Sequence, residues 1–258
     1  MCIAVFQWNP ESETPLLLAA NRDEHFERPT QFMHWWPQSN VLAGRDLKAD
    51  GAWLGITTRG RFALITNIRN PALRRDGAPS RGEIVRRYLE NDQPAGAFIT
   101  ALALKATEYE GFNLLCGSLS TDHRELWFLN SVEAMPRLLD AGLYALSNAS
   151  LDTEWPKVTR IKAGLRHALA ERDLAAQNER LFRLLANTTK VADHALPQTG
   201  VPLDWERKLS SISVRRDGYG TRASTVLRLA NGKATVIELN HREDSTPGER
   251  NEFAFDLQ

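Results

Sequence analysis

The sequence has little cysteine, no net charge and no long hydrophobic run. Only two of its 258 residues are cysteine, Cys2 and Cys116, which is too few for a disulfide framework or a zinc-ligand pair. The 32 basic and 32 acidic side chains cancel, which argues against a nucleic-acid partner. No apolar run approaches the roughly 18 residues of a membrane span, and the start lacks the pattern of a signal peptide. We therefore expect a cytoplasmic protein in a reducing compartment, with no membrane span.

The composition is that of a folded domain. Hydrophobic residues make up 42% of the chain and charged residues 25%, both near globular values. With no internal repeat and no convincing linker, residues 1–258 are expected to form one domain. Strand-like and helical segments follow one another in groups joined by hairpins, without regular βαβ alternation. This order predicts an α+β fold in which helices cover antiparallel sheets.

Hydrophobic periodicity gives a coarse assignment of the elements. Helical spacing and capping patterns predict helices that begin near Ser80, Pro94 and Pro156, and another over residues 181–185. Asn231-Gly232 predicts a tight hairpin turn. Short apolar or β-branched runs predict strands at residues 3–7, 16–21, 41–43, 53–57, 62–67, 112–116, 126–129, 143–147, 210–214, 224–229, 234–239 and 253–257.

Cys2 is distinguished by its position. If Met1 is removed, as is usual ahead of a small residue, Cys2 carries both a thiol and a free α-amine of pKa about 7.7 to 8. That amine can accept the thiol proton and return it to a leaving group, so one residue supplies nucleophile and base. The alternative interpretation is a small buried residue at the start of a strand. Retention of Met1 would remove the amine.

Four polar residues, Asn21, Arg22, Asp23 and Glu24, follow the second predicted strand. One interpretation is a surface turn in which they pair with one another. The other is a site, because a hairpin brings the segment beside Cys2, where an arginine would lower the thiol pKa and orient a carboxylate. Strand alternation sends Arg22 and Asp23 to opposite faces unless the strand has already ended.

A series of short motifs runs through nearly the whole chain. The motifs are Met1-Cys2-Ile3, Leu18-Ala-Ala-Asn21-Arg22-Asp23-Glu24, Arg28-Pro29, Leu42-Ala-Gly44-Arg45-Asp46, Gly51-Ala-Trp53-Leu54-Gly55, Thr66-Asn67, Gly111-Phe112-Asn113-Leu114, Leu146-Ser147-Asn148 and Gly218-Tyr219-Gly220-Thr221-Arg222. In this order the set closely resembles the NRDE family, also called the transport-and-Golgi-organisation protein two family. The resemblance implies a four-layer αββα fold like that of N-terminal-nucleophile hydrolases, and a role in haem trafficking or in acyl-CoA or lipid handling.

Within that wider fold, the choloylglycine hydrolase and penicillin V acylase group is similar in its polar residues. The similarity implies that Cys2 is the nucleophile and that Arg22 lies near it. In that group the early arginine and aspartate are separated by two residues, whereas Arg22 and Asp23 are adjacent here. The candidate catalytic residues are Cys2, Arg22, Asp23, Asn67, Asn148 and Arg222.

The same similarity implies that Asn67 and Asn148 line an oxyanion region. A Cys2 thiolate attacking an amide or thioester carbonyl creates an oxyanion, and one amide donor there is worth about 3 kcal/mol. The alternative for both asparagines is capping or turn formation at a strand end. Arg222 could equally be the exposed end of a flexible turn, since glycines precede it.

No metal or cofactor is required by the sequence. The six histidines include no pair three or four residues apart, so a zinc site has little support. The glycine-rich segments at 51–55 and 218–220 lack nucleotide-binding signatures. A labile haem needs only one cysteine or histidine beside an apolar surface, and Cys2, His25 and His34 would qualify, with ordinary packing as the alternative.

Two functions from different classes follow. The resemblance implies an intracellular protein that binds a small hydrophobic anionic ligand, haem or an acyl-CoA. An arginine would hold the carboxylate or phosphate of that ligand. The local chemistry predicts instead a Cys2-dependent hydrolase of a C–N amide or thioester bond. The candidate ligand-binding residues are Asn21, Arg22, Asp23, Glu24 and Arg222.

Overall fold

The computed structural model describes residues 2–244 and 246–258. In this part of the chain the strands form two seven-stranded antiparallel sheets. The first sheet has the order β10-β1-β2-β12-β13-β14, with β11 paired to β12, and the second runs from β3 to β9 in sequence order. The strands are Cys2–Trp8 (β1), Leu16–His25 (β2), Thr30–Trp35 (β3), Val41–Asp46 (β4), Leu54–Thr57 (β5), Arg61–Asn67 (β6), Phe112–Leu119 (β7), Arg124–Asn130 (β8), Arg137–Leu138 (β9), Gly142–Leu146 (β10), Arg215–Arg216 (β11), Tyr219–Ala230 (β12), Lys233–His241 (β13) and Pro247–Asp256 (β14).

Helices cover the outer face of each sheet. They are Arg81–Glu90 (α1), Ala95–Ala103 (α2), Pro156–Leu169 (α3), Leu174–Leu185 (α4) and Leu203–Lys208 (α5). One apolar cluster lies between the two sheets, a second joins α1 and α2 to the second sheet, and a third joins α3 and α4 to the first. The result is a four-layer αββα sandwich, which confirms the antiparallel sheets covered by helices that the order of elements predicts and the four layers that the family resemblance implies.

Strand β1 is buried on both faces. Its side chains alternate: Ala4, Phe6 and Trp8 pack between the sheets, whereas Ile3 and Val5 pack against the outer helices. A strand covered on both sides reads as a continuous apolar run, which is why β1 and its neighbour β2 are so evident in the sequence.

The local signals for helix starts and turns are confirmed. Ser80 caps α1 by accepting a hydrogen bond from the Gly82 amide at 3.3 Å. The second half of the capping box is not formed, because the Glu83 carboxylate instead accepts from Tyr109 Oη at 3.0 Å. Asn231 and Gly232 both have positive φ, 51° and 72°, as a tight hairpin turn requires.

One predicted strand is absent from the described residues, one is longer than predicted, and some short strands were not predicted. Residues 210–214 form a loop, since their serine hydroxyls bond nearby backbone carbonyls, with Ser210 Oγ donating to Arg207 O at 2.7 Å and Ser211 Oγ to Ser213 O at 2.7 Å. The second strand does not stop at residue 21 but continues to His25. Strands β3 and β9, which lie at the two edges of the second sheet, and the short β11, which pairs with β12, were not predicted. No helix among the described residues is long and apolar enough to cross a membrane.

Candidate functional site

The Cys2 thiol faces a cleft at the end of the two sheets. In the β1–β2 hairpin Cys2 pairs with Arg22, so both side chains lie on the face that looks toward the second sheet, as alternation from Ala4 and Ala20 requires. The cleft has a volume of about 320 Å³. Besides Cys2 and Arg22, its lining includes the charged residues Asp23, Glu24, Arg28, Asp46, Arg81 and Glu110, together with Trp53 and Asn67.

Arg22 is a buried cation held from several sides. It is only 6% exposed, and its Nη1 donates to Thr30 Oγ1 at 3.3 Å. Its Nη2 lies 3.9 Å from Asp46 Oδ2, and its Cζ lies 4.3 Å from the Trp53 ring centroid. These contacts fix a guanidinium group beside Cys2, where it can meet the carbonyl or anionic end of a ligand.

Burial raises the pKa of the Cys2 thiol, while the Arg22 charge and the Asp23 backbone N–H act in the opposite direction. The thiol is therefore mostly protonated near neutral pH. Nucleophilic attack then needs a base to take the proton. Met1, whose removal would free that base, lies outside the described residues. The backbone carbonyl of Cys2 accepts a hydrogen bond from Ser147 Oγ at 3.2 Å, which anchors the start of β1.

The side chain of Asp23 points away from that of Arg22, because β2 continues through both residues. Asp23 Oδ1 accepts a hydrogen bond from Thr221 Oγ1 at 2.7 Å. Burial raises the pKa of Asp23, and the nearby Lys157 charge opposes the rise. Asp23 is thus a cleft-lining residue whose carboxylate is turned toward Thr221 on β12.

The other two residues of the polar segment differ in position. Asn21 lies on the helix-facing side, where its Nδ2 donates to Leu185 O at 2.8 Å and to Ile212 O at 3.0 Å. Its Oδ1 accepts from Ser224 Oγ at 2.7 Å, so Asn21 ties the sheet to its covering layer and does not line the cleft. Glu24 does line the cleft.

The two asparagines lie one behind the other. Asn67 ends β6 and lines the cleft. Asn148 follows β10, and its Nδ2 donates to the backbone carbonyl of Asn67 at 3.0 Å while its Oδ1 accepts from Ser147 Oγ at 3.2 Å. Asn148 therefore positions the Asn67 backbone, and Asn67 is the asparagine that borders the space in front of Cys2.

Arg222 is buried within β12 and is 8% exposed. Its Nη1 donates to the backbone carbonyls of His25 at 3.0 Å and Arg28 at 2.8 Å. It does not line the cleft that contains Cys2. Its contacts instead hold the turn between β2 and β3, which carries Arg28 into the cleft.

Several cleft residues were not assigned a role by the sequence. Arg28, Asp46 and Trp53 occur in the family motifs, but Arg81 and Glu110 come from segments with no functional signal. Arg81 follows the cap of α1, and Glu110 pairs with it at 3.3 Å. Only the tertiary fold brings the first residue of α1 and the loop before β7 together, so spacing along the chain could not have revealed them.

The histidines proposed as haem ligands lie apart from Cys2. His25 is exposed and packs edge-on against Tyr219, with ring centroids 4.9 Å apart. His34 Nδ1 lies 2.7 Å from the backbone carbonyl of Phe32. Neither lines the cleft. Within residues 2–244 and 246–258, no group of three or more histidine, cysteine or acidic side chains is placed to hold a metal ion.

Two facing antiparallel sheets with helices outside both define a four-layer αββα sandwich, and Cys2 begins one of the inner strands of its first sheet. Solved structures similar to this chain are a conjugated bile acid hydrolase from Clostridium perfringens (10% identity, 100% of this chain and 98% of that chain, TM-score 0.42), and an N-acylethanolamine-hydrolyzing acid amidase orthologue from Caenorhabditis elegans (10% identity, 88% and 92%, TM-score 0.45).

The chain belongs to the Transport and Golgi organisation 2 family, whose sequence model matches residues 1–243. The human Transport and Golgi organization protein 2 homolog is 32% identical over 277 residues, covering 100% of both chains. The bovine homologue is 33% identical with the same coverage. The Drosophila melanogaster protein is 27% identical, over 88% of this chain and 87% of its own. These matches confirm the family resemblance drawn from the motifs.

Proposed function

We propose that the cleft binds an acyl compound and that Cys2 hydrolyses its C–N amide or thioester bond. One observation carries the proposal: the Cys2 thiol faces a cleft of about 320 Å³ whose lining also contains Arg22 and Asn67. A nucleophile, a fixed cation and an amide side chain in one space are the groups that acyl transfer uses.

The proposed reaction begins with removal of Met1. The freed α-amine of Cys2 accepts the thiol proton, and the thiolate attacks the acyl carbonyl carbon. An amide donor such as Asn67 stabilises the oxyanion. The bond to the amine or thiol leaving group breaks as the α-ammonium returns its proton to that group. Water then attacks the Cys2 thioester, releasing the carboxylic acid and restoring the thiol.

Two measurements test the hydrolase together. The intact mass of the protein from its native cell should correspond to a chain without Met1, and hydrolysis of a panel of simple amides and thioesters should be lost in Cys2→Ala. Cys116→Ala is the matched control, because Cys116 is fully buried in the other sheet. Retention of Met1 throughout, or equal activity in the Cys2→Ala protein, would refute the hydrolase.

The charged lining supports a second candidate, a carrier that binds an anionic ligand without cleaving it. Arg22, Arg28 and Arg81 all face the cleft and offer planar donors for a carboxylate or phosphate. Because Trp53 is the one aromatic side chain among the described residues that line the cleft, the cleft suits an acyl-CoA better than a haem. Titration with each ligand tests the carrier. Saturable binding that persists with Met1 present and weakens in Arg22→Gln is expected, whereas no saturable binding of either at micromolar concentration would exclude it.

A further inference from the structure

A second cavity adjoins the Cys2 cleft. Its volume is about 490 Å³. The two spaces have Arg28, Arg81 and Glu110 in common, so a ligand can extend from one into the other. We propose that this second cavity is a binding site for a phosphate-class oxyanion, formed by Arg28, Arg74 and Arg81 together with His25.

The two cavities differ in charge. The lining of the cleft around Cys2 contains three arginines and the carboxylates of Glu24, Asp46 and Glu110, whereas the Asp23 carboxylate turns away toward Thr221. Among the described residues that line the second cavity, three are arginines and Glu110 alone is acidic. The second cavity therefore has the larger positive excess, even though Arg28 is also paired with Asp46, and an anion is favoured there over the space in front of the thiol.

Two of the three arginines are each held in place by one carboxylate, so the three together keep an excess positive charge. Arg28 Nε donates to Asp46 Oδ2 at 2.6 Å, and Arg81 Nη2 lies 3.3 Å from Glu110 Oε2. Each guanidinium has five N–H donors in a rigid fork, so both retain donors for a ligand. Held side chains lose less conformational freedom on binding than mobile ones.

Arg74 supplies the third positive charge of the second cavity. It is exposed in the loop between the 3₁₀ turn Pro71–Leu73 and α1, and it forms no ion pair with any residue that the structure describes. Asn70, beside it, also lines the cavity. Three arginines converging on one space fit a doubly charged group such as phosphate better than a single carboxylate.

This inference rests on the proposed function only for the orientation of the substrate. The acyl carbonyl would lie at Cys2, and the leaving group would place its anionic part in the second cavity. The site itself can be tested without any chemistry at Cys2. Inorganic pyrophosphate is a suitable probe, because it presents the phosphate class and has no acyl group.

The experiment is isothermal titration of the full chain with pyrophosphate at low salt, repeated with Arg74→Gln and Arg75→Gln. Arg75 is exposed in the same loop but does not line the cavity, so it is a matched control for charge. Arg74→Gln should weaken binding about tenfold or more, as expected for loss of a hydrogen bond between charged groups. Arg75→Gln should change it little.

Absence of saturable binding at low-millimolar pyrophosphate would overturn the site. Equal weakening by the two variants would also overturn the site, because pyrophosphate would then be attracted by the general positive charge of the loop and not by the cavity. Both residues are exposed, so unchanged thermal unfolding serves to show that each variant is folded. The two assays separate the two proposals. If the wild type binds pyrophosphate but hydrolyses none of the amides and thioesters, the hydrolase alone is refuted. If it hydrolyses them but does not bind pyrophosphate, the oxyanion site alone is refuted.

Discussion

The guanidinium of Arg22 lies over the indole ring of Trp53, with 4.3 Å between Cζ and the ring centroid. Arg22 belongs to β2 of the first sheet, and Trp53 immediately precedes β5 of the second. The contact therefore joins the two sheets beside Cys2. Because Arg22 is 6% exposed, the stack is largely shielded from water and is worth about 2 kcal/mol.

Replacing the aromatic ring of Trp53 should show how much this contact contributes to the free energy of unfolding. Trp53→Leu is expected to lower the free energy of unfolding by about 2 kcal/mol or somewhat more, since the cation–π interaction and part of the buried area are both lost. Trp53→Phe retains a ring face for Arg22 and should cost less. Urea unfolding of the three proteins measures the difference. A Phe variant as unstable as the Leu variant would show that the stack contributes nothing.

Gly44 leaves room for that ring. A Cβ at this position would overlap the Trp53 indole, so Gly44→Ala should displace the ring from Arg22 and cost about 1–3 kcal/mol. The double variant with Trp53→Leu provides the control. The added methyl group then has space, so the combined loss of stability should be smaller than the sum of the two single losses. If the two stability losses were strictly additive, the methyl group added by Gly44→Ala would not act through the Trp53 ring.

The sequence predicted those parts of the fold that depend on neighbours in the chain. Alternation and capping identified β1, the start of α1 and the Asn231-Gly232 turn, since each is determined within a few residues. The extension of β2 through Asp23 was missed because polar residues are rare in a central strand. Their partners, such as Thr221 on β12, lie almost two hundred residues away and could not be inferred locally.

The same distinction holds for the cleft. The hairpin predicted that Arg22 would lie beside Cys2, and the register confirms it. The relative positions of Asn67 and Asn148 depend on how β10 and β6 of different sheets meet, which no local pattern records. Arg81, at the start of α1, and Glu110, in the loop before β7, enter the cleft because only the packed layers bring them together.

The two cysteines should differ sharply in reactivity. Cys2 is partly exposed and borders the cleft, whereas Cys116 is buried in β7 and burial raises the pKa of its thiol well above the ordinary value. At alkaline pH, where more of the Cys2 thiol is ionised, iodoacetamide should therefore modify one site in the native protein and two after unfolding in urea, as counted by intact mass. Cys2→Ala should then show no native modification. Native labelling of Cys116 would contradict its placement in the core.

Glu238 should make stability depend on pH. It is fully buried on β13, where its carboxylate accepts hydrogen bonds from Met33 N at 2.7 Å and Thr225 Oγ1 at 3.3 Å. Burial raises its pKa from 4.5 to about 7, although these hydrogen bonds and the Arg22 charge oppose the rise. Between these two pH values the folded protein holds a proton that the unfolded chain has released. The free energy of unfolding should therefore fall as pH rises through this window, by at most about 3 kcal/mol.

Glu238→Gln removes the ionisable group and keeps an oxygen acceptor for the Met33 amide. Its free energy of unfolding, measured by urea at pH values below, within and above the window, should lack the part of the decline that Glu238 causes. Relative to the wild type, the variant should therefore gain stability as pH rises. Glu252→Gln, whose side chain is 58% exposed, is the control and should follow the wild-type profile. If wild type and Glu238→Gln show the same dependence on pH, the buried carboxyl group does not take up a proton in this range, and burial is offset by its hydrogen bonds and by Arg22.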